Sequence, residues 1–120
     1  MPQFMLLLYD TPGNLKRMSP EQIQTILQQY NAWTQKLAQA GKLVGGRKLM
    51  EEGGKHMKRT GTKLTVTDGP YVETKEVVGG YFAVRARDYG EAVEIASDCP
   101  HLQFGRIEVR EIDFMGRPED

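Results

Sequence analysis

Apolar and polar positions divide the chain into stretches of strand period and stretches of helix period. Phe4-Met5-Leu6-Leu7-Leu8-Tyr9 is a continuous apolar run between Pro2 and the turn residues Asp10, Pro12, Gly13 and Asn14. Its length suits a central strand covered on both faces better than a helix. From Ile23 the spacing changes to threes and fours: Ile23, Ile26, Leu27, Tyr30, Trp33 and Leu37 make one stripe of a helix. Ser19 is placed to cap it, Pro20 takes the first helical position, Gln22 can complete a capping box, and Gly41 supplies a left-handed stop. On that stripe Tyr30 and Trp33 read as core packing. Residues 42–50 predict a second strand in which Gly45-Gly46 marks a bulge or the close approach of another backbone. Glu51-Glu52-Gly53-Gly54 is a loop. Residues 56–60 and 63–67 then predict a hairpin turning through Gly61-Thr62. Leu64 and Val66 fall on one face of it and Lys63, Thr65 and Thr67 on the other, so one face is expected to be wet.

Beyond a charged loop, residues 77–86 predict a strand carrying Tyr81, Phe82 and Val84. Asp88 and Glu91 open a second helix, Ala92, Val93, Ala96 and Cys99 give it a narrow buried face, and Pro100 ends it. Cys99 reads as a small core residue. Residues 106–114 predict the last strand, whose apolar alternation passes from Ile107 and Val109 to Ile112 and Phe114. A one-residue slip turns every side chain over, so the pattern needs a bulge near Arg110-Glu111 or a strand that leaves its sheet to meet a second subunit. The second subunit is the expectation. The order strand, helix, strand, hairpin, strand, helix, strand predicts a ferredoxin-like α+β layer. Two helices cover one face of such a sheet, and two copies packed across their open faces would form a dimeric α+β barrel.

Composition narrows the partners. A chain of 120 residues suits one domain over 1–120, with one core. Sixteen basic residues balance sixteen acidic ones, leaving no global field to favour nucleic acid or an anionic membrane. One cysteine cannot form an internal disulfide, which fits a reducing compartment. The apolar run at residues 4–9 is too short for a signal-peptide core or a membrane span. A soluble, cytoplasmic protein is expected. Lys55, His56, Lys58, Arg59 and Lys63 form a local basic cluster, read as a solvated hairpin face.

The stretch TDGPYVETKEVVGGY, residues 67–81, is where a site would sit: a strand ends, a loop bearing Asp68, Glu73, Lys75 and Glu76 follows, and a strand begins. Together with residues 4–9, Ala40-Gly41-Lys42-Leu43-Val44, Glu91-Ala92, Cys99-Pro100 and Glu108-Val109-Arg110, it resembles the DGPF branch of the YCII-related proteins. The resemblance covers nearly the whole chain. It implies a ferredoxin-like dimer with a cleft on each subunit, and it includes distant relatives that act on small chlorinated or hydroxylated acids, without a cofactor, through a histidine-aspartate pair. It also implies gene neighbourhoods with extracytoplasmic-function sigma factors. Here residues 10–40 contain no histidine, where the catalytic relatives carry theirs; His56 and His101 lie elsewhere. Tyr71 stands where the branch usually has phenylalanine, and Glu111 where a proline is common.

Two readings of the loop stay open. Asp68 can bond backbone N–H groups ahead of Pro70, which alone accounts for an Asp-Gly-Pro turn, and Glu73, Lys75 and Glu76 can be a solvated run. In the functional reading, Asp68 or Glu73 acts as a base and Lys75 holds a carboxylate or enolate. Tyr9 and Tyr81 then supply hydroxyls, and Gly79 and Gly80 leave space for a ligand or another backbone. That set serves proton abstraction beside a carbonyl without metal or cofactor, and no metal-ligand spacing or phosphate loop occurs. The functions in play are a small-molecule binding protein or cofactor-independent enzyme of lyase or isomerase type acting on a small organic acid, and a regulatory or interaction module.

Overall fold

The computed structural model describes residues 1–69 and 76–116. Among them six strands, β1 (Gln3–Asp10), β2 (Leu43–Lys48), β3 (Lys55–Thr60), β4 (Lys63–Asp68), β5 (Val77–Arg85) and β6 (Arg106–Glu111), combine with two helices, α1 (Pro20–Gln39) and α2 (Tyr89–Ser97). The start of α1 is chemically closed: Gln22 N–H donates to Ser19 Oγ at 3.1 Å and Ser19 N–H donates to Gln22 Oε1 at 2.8 Å. That box satisfies two donors the first turn would otherwise leave bare. Gly41, at φ +73°, turns the chain out of the helix. At α2, Glu91 N–H donates to the Asp88 carboxylate at 2.9 Å, while Glu91 reaches past the cap to accept from Arg87 N–H at 3.1 Å.

The main sheet has the order β2-β5-β1-β6 with antiparallel neighbours. Each helix joins strands that another strand separates: α1 links β1 to β2 across β5, and α2 links β5 to β6 across β1. This is the ferredoxin-like α+β arrangement. In the register, Phe4 and Leu6 lie opposite Val84 and Phe82. Those side chains form the core with Trp33 and Leu37 of α1 and Ala92, Ile95 and Ala96 of α2. Trp33 Nε1–H donates to the Ile95 carbonyl at 3.2 Å and its ring meets the Phe82 ring edge-on at 4.8 Å, so one side chain ties α1 to both α2 and the sheet. Burying side chains of this size contributes roughly 1.5–3 kcal/mol each.

Several expectations change. Leu27 is 57% exposed: it sits about 100° round the helix from Ile26 and beyond the reach of the sheet. In α2 the buried place goes to Ile95, and Val93 faces outward. β1 is central, with Phe4, Leu6 and Leu8 buried on one side, while Met5 and Leu7 lie half-buried on the other face. β6 keeps one register against β1 and ends at Glu111, so the parity change near Arg110-Glu111 is not a bulge within the strand. The irregularity lies in β1, between Leu8 and Tyr9. Gly45-Gly46 combines both expected features: the register shifts between Leu43 and Gly45, and a Cβ on Gly46 would lie 2.9 Å from the Tyr81 carbonyl oxygen of β5. The hairpin departs most. Among the described residues β3 and β4 pair only with each other, and every residue of both is exposed, so both faces are wet.

Candidate functional site

The ends of β1 and β2 and the beginnings of β5 and β6 converge at one end of the open sheet face. Register alone sets the side chains there. On β6, Arg106, Glu108 and Arg110 lie opposite Tyr9, Leu7 and Met5 of β1, so a charged row faces an apolar one. The Arg106 guanidinium stacks on the Tyr9 ring, 4.1 Å from its centroid, and Nε–H donates to Glu76 Oε1 at 2.7 Å. Arg110 Nη1–H donates to Glu108 Oε2 at 3.0 Å. Arg110, and to a lesser degree Tyr9, hold the Glu108 carboxyl below the usual carboxylate range. Glu76 in turn raises the Arg106 guanidinium above the ordinary arginine value, chiefly through its hydrogen bond. Both members of the Arg106–Glu76 pair are about half exposed, and an exposed pair of this kind is readily exchanged for another anion.

Tyr9 is held from behind. His101 is 4% exposed in a 3-10 turn (Pro100–Gln103), and its Nε2 lies 2.7 Å from the Tyr9 carbonyl. A carbonyl oxygen only accepts, so Nε2 carries the proton. Phe104 packs edge-on against the imidazole at 4.9 Å. A Cβ on Gly105 would overlap the Tyr9 carbonyl and lie 2.5 Å from His101 Nε2, so only glycine fits there. Asn14 Nδ2–H donates to the Asp10 carboxylate and, at 3.4 Å, to the Phe104 carbonyl, joining the loop after β1 to the loop before β6.

The expected site residues fall in different places. Tyr9 and Tyr81 are on the open face, Tyr81 opposite Leu7 on one side and Arg47 on the other. At Gly80 the available space is filled by β2, since a Cβ would lie 2.8 Å from the Arg47 carbonyl oxygen. Gly79 has only ordinary contacts around it. Asp68 ends β4, exposed, with its carboxylate paired to Lys55. Gly69 next to it is packed on the chain: its N–H donates to the Gly54 carbonyl at 2.9 Å, and a Cβ would lie 2.6 Å from His56 Nε2. Glu73 and Lys75 lie outside the described residues. Sequence reasoning missed Arg106, Glu108 and His101. The odd-even pattern of β6 would have found the first two once β6 was paired with β1; no local signal marks His101.

Elsewhere, burial raises the Cys99 thiol to about 11, with a hydrogen bond from the His101 backbone opposing the shift. Burial likewise raises the Tyr30 hydroxyl, with Cys99 and Asp10 adding to it. Shallow grooves flank the Gln29–Gln103 hydrogen bond on the helical side and include neither Tyr9 nor Arg106. Among the described residues no three His, Cys, Asp or Glu side chains gather as a metal site requires, and no helix is long and apolar enough to cross a membrane.

The family model of the YCII-related domain matches residues 2–115. The chain is also similar to an uncharacterised protein of Rhizobium meliloti (strain 1021), at 26% identity over 110 residues, which is 89% of each chain.

Proposed function

The chain belongs to the YCII-related domain family, and from that premise we propose that it binds a small organic acid at the end of its open sheet face and acts on it, if it is catalytic, as a cofactor-independent lyase or isomerase. The observation that carries this reading is Arg106, a cation stacked on Tyr9 at the rim of an apolar sheet face and held by an exchangeable carboxylate. A substrate carboxylate takes the place of Glu76 on Arg106, and its apolar part lies along Leu7 and Tyr81. Tyr9, Tyr81 and Gly79 form the binding end, beside Gly80, whose own space is taken by β2. Asp68 or Glu73 removes a proton beside the carbonyl, and Lys75 stabilises the enolate charge. In this reading the chain is a DGPF-branch protein, one domain over 1–120, cytoplasmic, and a homodimer whose open faces close a barrel around two such ends. The half-buried Met5, Leu7 and Tyr81 support the pairing.

The absence of a histidine between Asp10 and Ala40 favours a second reading, a regulatory module that binds a protein connected with extracytoplasmic-function sigma factors. Thermal-shift measurements with a panel of small hydroxy, keto and chlorinated acids separate the two. Ligand at 100 times Kd stabilises by about 2.7 kcal/mol, a rise on the order of 10 °C for a domain of this size. At least one acid should raise the wild-type midpoint and lose that effect in Arg106→Gln. A panel without any such acid, or equal shifts in the variant, removes the acid-binding reading.

A further inference from the structure

The β3–β4 arm is built as a contact surface. An isolated two-stranded hairpin is at best marginally stable in water, yet this one has no third strand and no helix over it among the described residues. In the register Lys55 lies opposite Asp68, Met57 opposite Val66, and Arg59 opposite Leu64, all on one face. Met57, Val66 and Leu64 are 67, 52 and 45% exposed. The Lys55–Asp68 pair closes the base of this apolar strip, and Arg59 stands at its far end. The opposite face holds His56, Lys58, Lys63 and threonines. Four of the sixteen basic residues and one of the sixteen acidic ones lie on residues 55–68, so the arm carries +3 and the rest of the chain −3.

The matching surface is on α2. Ala92, Ile95 and Ala96 face the core, which leaves Val93, Ser97 and the row Gly90-Glu94-Asp98 outward, while Tyr89 sets its ring edge-on to Phe4 at 4.9 Å, accepts from Glu111 N–H at 2.9 Å and shows its other side to water. Tyr89 and Val93 are 48 and 53% exposed, beside the exposed acids Glu94 and Asp98. One surface is apolar with a cation at its end and the other apolar with anions alongside. Their apolar parts also agree in length: Leu64 to Val66 spans about 7 Å along the strand, and Tyr89 to Val93 about 6 Å along the helix.

We propose that the arm of one copy docks on the outer face of α2 of a second copy, with Met57, Leu64 and Val66 against Tyr89 and Val93 and Arg59 beside Glu94. Exchanged in both directions about a two-fold axis, the contact occurs twice and is self-limiting. It rests on the self-association in the reading above, but on a different surface from the open sheet face.

A charge-swap series with sedimentation measurements tests it. Arg59→Glu and Glu94→Arg should each weaken dimerisation at least about tenfold, and the double variant should return most of the loss. Met57→Ser with Val66→Ser should also weaken it. All of these positions are exposed, and unchanged circular dichroism of the monomer confirms folding. Leu7→Glu, on the open face, distinguishes the surfaces. If that variant alone separates the copies and the arm variants associate like the wild type, the face pairing stands and the arm contact is overturned. If the arm variants alone separate them, the arm contact stands without the face. Weakening by Arg59→Glu that Glu94→Arg does not rescue overturns the α2 seat. Arm-dependent binding of duplex DNA at physiological salt, with self-association untouched, overturns it in favour of nucleic acid.

Discussion

Ninety-two positions separate His101 from Tyr9, and the imidazole holds the Tyr9 backbone carbonyl near the end of β1. Arg106 then has a ring to stack on. Tyr9 was legible at the polar end of an apolar run, but His101 was not, because the contact depends on where a 3-10 turn passes beneath a strand end. Cys99 is the opposite case. Its place at the end of a narrow alanine face makes it a core residue on sequence grounds, and it is 3% exposed. Its burial has a consequence for pH. The folded thiol titrates near 11 against an ordinary value of 9, so between those values the unfolded chain has lost a proton the folded one keeps, and stability falls as pH rises. The thermal midpoint should therefore decline between pH 9 and 11, and Cys99→Ala should decline less steeply than the wild type; parallel curves would show that the thiol takes no part. Thiolate at pH 8 is about a thousandth of the folded thiol, so the native protein should also react with disulfide reagents only as it unfolds.

At the scale of elements, what local chemistry controls was legible and what neighbours control was not. The capping box at Ser19 and Gln22, Pro20 at the first turn, Gly41 at the exit and Asp88 before α2 all form as the residues require, because each acts within four positions. Ser19→Ala should cost about 1 kcal/mol, measured as a lower urea midpoint with an unchanged slope; Ser19→Asp should recover most of it. Leu27 and Val93 show the limit. Each is apolar at helical spacing, and each faces water, because a stripe is only as wide as the surface it meets. The last strand repeats the lesson: Ile112 and Phe114 lie beyond the end of β6, which no periodicity can reveal.

At the scale of the whole molecule, a compact domain of 120 residues has a radius of gyration of about 14 Å, whereas this one has 16.5 Å and extents of 47 × 46 × 20 Å. It is broad and thin because one sheet face carries both helices, the other carries none among the described residues, and the arm stands apart. The bare face is apolar at Met5, Leu7 and Tyr81. Pairing of two such faces predicts that Leu7→Glu lowers the solution mass from dimer to monomer at micromolar concentration without changing the circular dichroism. A mass unchanged from wild type would show that the face stays in water.

The amino-acid sequence by itself determined the order of strands and helices, the caps that start and stop them, and core positions such as Phe4, Leu6, Trp33, Leu37 and Cys99, since propensity, capping and alternation act over a few residues. Through the run around Asp68-Gly69-Pro70 it also carried the family. Tertiary structure alone decided that Arg106 lies on Tyr9, that His101 supports it, that Gly80 makes room for β2 rather than a ligand, and that the hairpin stands free. Each of these depends on which strands become neighbours and in what register, a choice made by the packing of the whole sheet and written in no single segment of the chain.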